Sequence, residues 1–208
     1  MDVSTRRAIR TWLARTALAI ARMTVPRPRP ILTVQASPTG TGSTVLVNLI
    51  HGILAPDEGI VWTVNASQAD SLIVKTHNMN FRRWERSNWR KDVYSVVSER
   101  RPDRLLDRTD SVHHKVLIVD FDTLNETPDH SLQDIAADFV TRLRAFLPAR
   151  AFPDLDDAAL TARAVSRIKA MNEVYARISD QPFSVVDPFY HIHGSHRGRT
   201  EREKDATN

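Results

Sequence analysis

The pattern of hydrophobic and polar positions is clearest between residues 31 and 56. Residues 31–35 form a β-rich run that predicts a strand. The run stops at residues 37–42, which are glycine, proline, serine and threonine. From Ser43 the apolar positions recur at helical spacing, and Gly52 and Pro56 mark the expected end of the helix. The pattern therefore predicts a strand, a glycine-containing turn and a helix.

Further short apolar runs follow at residues 60–64, 72–74, 93–97 and 116–119. They are rich in β-branched residues and lack strict alternation, as is typical of the buried strands of a parallel sheet. Helical patterns cover residues 131–146 and 156–178, and Asp129 or Ser131 is the expected cap of the first. Strands that alternate with helices predict a three-layer α/β fold, in which a mostly parallel central sheet has helices on both faces.

The first 30 residues have a different pattern. Residues 25–30, in which alternate residues are proline, predict a short and stiff connector. Residues 31–198 then form one α/β domain, and the polar residues 199–208 are expected to be a disordered tail. Residues 5–23 predict a basic amphipathic helix that packs on the domain, and contact with a membrane surface is the less favoured alternative. Its apolar positions are Ile9, Trp12, Leu13, Leu18 and Ile20.

The amino-acid composition limits the chemistry and the ligands that are open to the chain. The 208 residues include no cysteine, which excludes disulfides, thiolate nucleophiles and cysteine-ligated zinc. The formal net charge is +4, so a small polyanion such as a phosphorylated nucleotide suits the chain as well as nucleic acid does. No apolar stretch reaches the roughly 20 residues of a membrane-spanning helix, and we expect a cytoplasmic location.

The turn after the first strand is the first candidate site. Gly40-Thr41-Gly42-Ser43-Thr44 places glycines and hydroxyls where a helix presents unpaired N–H groups and the positive end of its dipole. The segment is not a Walker A loop, because no lysine precedes the final Ser/Thr, and it lacks the third glycine of a dinucleotide fingerprint. It predicts phosphate binding without identifying the ligand.

A second candidate site follows the apolar run 72–74. Lys75-Thr76-His77 places a cation and a histidine two residues apart at the carboxyl end of a predicted strand, where both can point to one side of an extended chain. Ligands of open parallel sheets bind beyond the carboxyl ends of the strands. We therefore expect the two candidate sites to meet if the two strands are neighbours.

Taken together, these motifs resemble the sulfotransferase family that uses 3′-phosphoadenosine 5′-phosphosulfate, over roughly residues 31–125. Thr41-Gly42-Ser43-Thr44 is similar to the second half of that family's phosphosulfate loop, and Lys75-Thr76-His77 matches a family motif letter for letter. Residues 96–103, with Arg100, are similar to the segment that contacts the 3′-phosphate, and residues 116–124 resemble the strand and acidic turn that follow. Near the C-terminus, residues 191–199 with Arg197-Gly198 are similar to a segment that closes over the 3′-phosphate.

The resemblance implies a P-loop-like nucleotide fold and the transfer of a sulfuryl group from this nucleotide, as co-substrate, to an unknown hydroxyl or amine acceptor. It implies His77 as the general base and Lys75 as the cation at the leaving phosphate. Neither a metal ion nor nucleic acid has a role in this scheme. The implied nucleotide-binding residues are Gly40, Thr41, Gly42, Ser43, Thr44, Arg100, Arg197 and Gly198.

One position departs from the family pattern. The basic residue of the phosphate loop falls on Gly40 here, and Lys75, Arg82 or Arg83 is the candidate substitute. This departure leaves open a second interpretation, a sulfotransferase-like binding or interaction module with impaired catalysis. A third is a nucleotide or small-molecule kinase, since residues 116–120 end in Asp120 as a magnesium-holding strand does, although kinases of this type depend on the missing lysine. For the C-terminal segment, a metal site at the clustered histidines is a less favoured alternative to the basic phosphate-facing loop: His191, His193 and His196.

Overall fold

The computed structural model describes residues 2–38, 40–65, 72–100, 115–179, 181 and 186–193. The α-helices in these residues are α1 (Val3–Thr24), α2 (Ser43–Leu54), α3 (Phe81–Ser87), α4 (Leu132–Phe146) and α5 (Asp157–Ile178). The strands are β1 (Ile31–Ala36), β2 (Val61–Trp62), β3 (Ile73–Thr76), β4 (Asp92–Glu99), β5 (Val116–Asp120), β6 (Val186–Asp187) and β7 (Ile192–His193). A 3₁₀ turn at Phe121–Leu124 follows β5 directly.

The central sheet contains five strands in the order β2, β3, β1, β4, β5, and all of these pairs are parallel. The chain adds β3 on one side of β1 and later adds β4 on the other side. Gln35 of β1 therefore lies in register with Lys75 of β3 and with Val96 of β4. A reversal of strand order of this kind opens a crevice at the carboxyl ends of the central strands. The predicted parallel sheet is confirmed.

Helices cover both faces of this sheet. On one face, α2, α4 and α5 pack against alternate strand residues such as Ile73, Val96 and Val119. On the other face, α3 inserts Phe81 and Trp84 against apolar residues of β1, β3 and β4. The predicted three-layer α/β architecture is confirmed as well.

Helix boundaries agree closely with the sequence pattern, with one instructive exception. Ser131, one of the two residues that were candidates for the cap, is the N-cap of α4. It forms a capping box with Asp134. Gly52, however, lies inside α2 and does not end it. A Cβ at Gly52 would lie 2.7 Å from the Cα of Ala164 on α5, so glycine at this position permits the two helices to pack closely.

A buried arginine joins α5 to two other parts of the domain. Arg167 Nε donates to Asn48 Oδ1 of α2 at 3.1 Å, and its Nη2 donates to the backbone oxygen of Phe189 at 3.1 Å. Nη1 donates to the backbone oxygen of Pro56 at 2.5 Å. This guanidinium is thereby satisfied although it is only 5% exposed.

The N-terminal helix differs from its expected packing. Asp2 is the N-cap of α1, and its side chain accepts a hydrogen bond from the backbone N–H of Thr5. Its apolar side chains do not pack on the domain as expected, because the four of them that the structure describes are exposed: Ile9, Trp12, Leu13 and Ile20. Among the described residues, none of the helices has the length and apolar character that crossing a membrane requires.

Candidate functional site

The carboxyl ends of the three central strands carry polar side chains on the sheet face that α2 covers. On this face, β3 and β4 change from apolar residues to Lys75 and Ser98, and β1 carries Thr33 followed by Gln35. Lys75, Gln35 and Ser98 are buried, at 2%, 0% and 0% exposure. Buried polar side chains are uncommon in a sheet of this kind, so their convergence marks a candidate site.

The connection between β1 and α2 passes twice through left-handed backbone conformations. Gly40 and Gly42 have φ angles of 77° and 70°. A Cβ at Gly42 would lie 2.9 Å from the ring of Phe121, whereas one at Gly40 would meet none of the described atoms within 4 Å. Gly42 is also the N-cap residue of α2 and has no side chain to cap the helix. The N–H groups of the first turn are therefore suited to bind an anion.

Ser37 anchors the start of this loop to β4. Its Oγ accepts hydrogen bonds from the backbone N–H of Ser98 at 2.8 Å and from Gln35 Nε2 at 2.5 Å. Ser98 Oγ donates to the same atom at 3.0 Å. Further along the loop, Thr41 Oγ1 donates to the backbone oxygen of Pro38 at 2.8 Å. A buried polar network therefore fixes the position of the loop on the sheet.

Lys75 brings a buried positive charge to the first turn of α2. Its Nζ donates a hydrogen bond to Thr44 Oγ1 at 2.9 Å. None of the ion pairs among the described residues gives it a carboxylate partner. Burial lowers the pKa of Lys75 from 10.5 to about 8, because the ammonium loses its hydration. A buried ammonium without a counter-charge, next to a helix N-terminus, is well placed to attract an anion.

His77 contacts the other end of the same loop. Its Nδ1 lies 2.6 Å from the backbone oxygen of Ser37. Because a carbonyl oxygen only accepts hydrogen bonds, Nδ1 carries the proton of the neutral ring and donates it. Nε2 is then the nitrogen that can accept a proton, on a side chain that is exposed to solvent. The structure thus brings Lys75 and His77 to the β1–α2 loop, with β3 next to β1.

Arg100 lies at the same edge of the sheet, directly after β4. Its guanidinium carbon is 4.5 Å from the centroid of the Phe121 ring, the ring that also packs against Gly42. Its backbone N–H donates to Glu99 Oε1 at 2.8 Å, and the residue is exposed. The ring of Phe121 therefore lies next to both the loop glycine Gly42 and Arg100.

The remaining candidates are placed elsewhere or lie outside the described residues. Arg82 and Arg83, the other substitutes for a loop lysine, belong to α3, which covers the opposite face of the sheet. His191 stacks on Trp62 of the edge strand β2, with ring centroids 6.1 Å apart. The part of the chain that the structure describes holds no group of three His, Asp or Glu side chains that could ligate a metal ion. Three predicted residues lie outside the described residues: His196, Arg197 and Gly198.

Three site residues are not identified by the sequence pattern. Gln35 and Ser98 are polar residues at the carboxyl ends of the predicted strands, but Thr33 and Ser95 within these strands are polar as well, so polarity alone does not single them out. Phe121 gives no signal either, because its role depends on the 3₁₀ turn that places its ring against Gly42.

Two cavities lie away from this site. The larger, of about 690 Å³, is bordered by α5, residues 56–57 and residues 189–190. The smaller, of about 290 Å³, lies at the amino ends of β1 and β3, beside Arg29 and Arg150. Neither is lined by a residue of the loop, by Lys75 or by His77.

Comparisons of this chain with protein-family models, with curated proteins and with solved structures find no match. The fold and the site therefore define the class of protein by themselves. It is a three-layer α/β protein in which a glycine loop, a helix N-terminus and a buried lysine meet at the carboxyl edge of a parallel sheet.

Proposed function

We propose that this protein is a sulfotransferase that moves a sulfuryl group from 3′-phosphoadenosine 5′-phosphosulfate to a hydroxyl or amine acceptor. The observation that carries the proposal is the buried Lys75, whose Nζ hydrogen bonds to Thr44 at the first turn of α2. In the family that the sequence resembles, the loop itself holds the basic residue. Here β3 supplies a cation to the same helix start, which offsets the substitution of that residue by Gly40. A central strand, glycine loop and helix in a parallel sheet support a P-loop-like nucleotide fold.

The first turn of α2 would bind the 5′-phosphate end of the nucleotide. Its N–H groups lie at the positive end of the helix dipole, and Ser43 and Thr44 add hydroxyl donors. Lys75 contributes the positive charge. A bound anion would supply the counter-charge that none of the described residues gives this ammonium, so binding should raise the pKa of Lys75 again.

Arg100 would bind the 3′-phosphate. It is exposed at the carboxyl end of β4, and its guanidinium carbon lies over the Phe121 ring. A guanidinium offers paired N–H donors for a bidentate contact, which suits phosphate oxygens. This geometry is compatible with a nucleotide that spans from α2 to the end of β4.

His77 would act as the general base. The bound nucleotide supplies an activated sulfuryl group, whose sulfur forms a bond to the acceptor as its bond to the 5′-phosphate oxygen breaks. His77 Nε2 accepts the proton that the acceptor loses, while the contact of Nδ1 with Ser37 holds the required tautomer. Lys75 offsets the negative charge that develops on the 5′-phosphate.

Calorimetric titration and thermal unfolding with 3′-phosphoadenosine 5′-phosphate or with ATP, each with and without magnesium, test which nucleotide the protein binds. We expect the first ligand to bind without magnesium and to raise the melting temperature, and ATP to do neither. Arg100→Ala should weaken this ligand by at least about tenfold more than adenosine 5′-phosphosulfate, which lacks the 3′-phosphate. The matched control is Arg86→Ala, an exposed arginine of α3. Equal losses for both nucleotides would contradict the assignment of the 3′-phosphate site.

Sulfuryl transfer to a panel of phenols, alcohols and amines tests the base. His77→Ala should lower the rate by at least about 100-fold and leave binding of 3′-phosphoadenosine 5′-phosphate largely intact. His130→Ala, remote in sequence and outside the site, is the control. Full activity of His77→Ala would rule out this residue as the base.

A second candidate function is a nucleotide-binding or interaction module with impaired catalysis, and the glycine at position 40 favours it. Nucleotide binding that depends on Arg100, without transfer to any acceptor of the panel, would support this candidate. Binding of ATP that requires magnesium would instead support a kinase that uses Asp120.

A further inference from the structure

The N-terminal helix α1 exposes an apolar stripe. Five large apolar side chains are between 42% and 78% exposed, and their spacing of three, four and seven residues places them on one face of the helix. None of the five belongs to either of the two apolar cores of the described domain. Single exposed apolar residues are ordinary, but a continuous exposed stripe indicates an interaction surface. The stripe consists of Ile9, Trp12, Leu13, Ile20 and Met23.

The charge of α1 is entirely positive. Its 22 residues include no Asp or Glu. By helical periodicity, positions 7, 10, 15 and 22 fall outside the apolar stripe. An apolar face with Trp and Leu, combined with arginines elsewhere on the helix, is typical of helices that lie in the interface of a membrane. The arginines of the helix are Arg6, Arg7, Arg10, Arg15 and Arg22.

The connector after α1 separates it from the sheet. Pro26, Pro28 and Pro30 prevent the helix from continuing into β1, and Val25 has extended backbone angles. α1 therefore ends before the domain begins. It can lie on a surface without a change in the packing of the central sheet.

We propose that α1 binds an anionic phospholipid surface, with the apolar stripe inserted among the headgroups and the arginines paired with lipid phosphates, and so tethers the domain to that surface. Charge complementarity favours this partner over a second copy of the chain. A pair of such helices would bring two sets of arginines together without any acidic residue of α1 to offset them. Anionic headgroups supply the opposite charge, and each arginine near such a surface strengthens binding.

Co-sedimentation of the full chain with vesicles tests the proposal. Vesicles of phosphatidylcholine with about 30% phosphatidylserine should bind at least about tenfold more tightly than vesicles of phosphatidylcholine alone. The triple variant Ile9→Ser, Leu13→Ser, Ile20→Ser keeps every charge and should lose at least about tenfold in binding to the anionic vesicles. Tyr175→Ser, which removes an exposed aromatic side chain of α5, is the matched control and should bind as the wild type does. Thermal unfolding of the three proteins checks that the domain remains folded.

Three outcomes would overturn the proposal. Unchanged binding of the triple variant would show only the non-specific attraction of a basic chain to an anionic surface. Equal binding to both kinds of vesicle, or to neither, would remove the role of the arginines. A dimer in light scattering that the triple variant dissociates, without vesicle binding by the wild type, would identify the stripe as a contact between two copies of the chain.

Discussion

Lys75→Met tests whether the buried charge of the candidate site lowers the stability of the fold. The substitution removes the ammonium and keeps a side chain of similar length. Burial lowers the pKa of Lys75 from 10.5 to about 8. At about 1.4 kcal/mol for each pKa unit, the protonated side chain disfavours the folded state by about 3 kcal/mol. The lost hydrogen bond to Thr44 is worth about 1 to 2 kcal/mol in the other direction. We therefore expect the variant to be more stable than the wild type by about 2 kcal/mol at pH 7.

The pH dependence gives a sharper test than the value at one pH. Because the folded pKa lies below the unfolded one, the unfolded state binds more protons between about pH 8 and pH 10.5. The free energy of unfolding of the wild type therefore rises as the pH rises through this window. Below about pH 8 the buried ammonium disfavours the folded state by its full amount. Integration gives the wild type about 2 kcal/mol from Lys75 between pH 7 and pH 9.5. Lys75→Met gains nothing at this position, so its advantage should disappear at the higher pH.

Urea unfolding followed by tryptophan fluorescence at pH 7 and pH 9.5 measures both quantities. Lys169→Met replaces an exposed lysine of α5 and should stay within about 0.5 kcal/mol of the wild type at both pH values. In a separate thermal unfolding experiment, 3′-phosphoadenosine 5′-phosphate should raise the melting temperature of the wild type and not that of Lys75→Met. The reasoning is refuted if Lys75→Met is less stable than the wild type by the same amount at both pH values, since the lysine would then be a structural residue.

Two further stability predictions concern the helix α2. Gly42→Ala puts a Cβ 2.9 Å from the Phe121 ring at a φ of 70°, and we expect it to lose about 2 to 4 kcal/mol in urea unfolding. Gly40→Ala has a similar backbone, and its Cβ would meet none of the described atoms within 4 Å, so its loss should be about 1 kcal/mol, and equal losses would contradict the packing role of Gly42. Burial, together with the nearby charge of Arg167, lowers the pKa of His51 from 6.5 to about 4. Between these two pKa values the unfolded state binds more protons than the folded state, so the free energy of unfolding falls as the pH falls. Between pH 7 and pH 5 the wild type should lose about 2 kcal/mol that His51→Leu does not lose, and parallel curves for the two proteins would contradict the shift.

The three central strands β1, β3 and β4 could be predicted because they are short, mostly apolar runs that are buried on both faces. Residues 93–97 predict the centre of β4, and the structure extends this strand to Asp92 and Glu99. α3 could not be predicted in the same way. Its seven residues offer only Phe81 and Trp84 as apolar positions, and two positions do not establish a helical period. The capping side chain of Asn80 and the burial of these two aromatics fix the helix instead.

The order of the strands has no comparable local signal, and the site depends on it. Lys75 and His77 can be assigned to a strand end from the sequence, but only the pairing of β1 with β3 places them at the β1–α2 loop. The same holds for the contact of Ser37 with Ser98, which needs β4 on the other side of β1. Long-range pairing brings together residues about 30 to 60 positions apart, and periodicity within a window of 11 to 18 residues does not contain that information.

Gly40 shows that a residue missing from a sequence motif can be replaced in space by a residue from another strand. A phosphate requires a positive charge near the helix start, and it does not distinguish a lysine of the loop from a lysine of the adjacent strand. Lys75 lies in register with Gln35, two residues before the loop begins, so its side chain reaches Thr44 from within the sheet. For the phosphate site proposed here, the two arrangements of the lysine would differ in the free energy of the protein without ligand. A loop lysine keeps its hydration, whereas Lys75 is buried and disfavours the folded state until an anion is bound. Ligand binding should therefore stabilise this protein more than it would a protein with the same contacts and an exposed loop lysine.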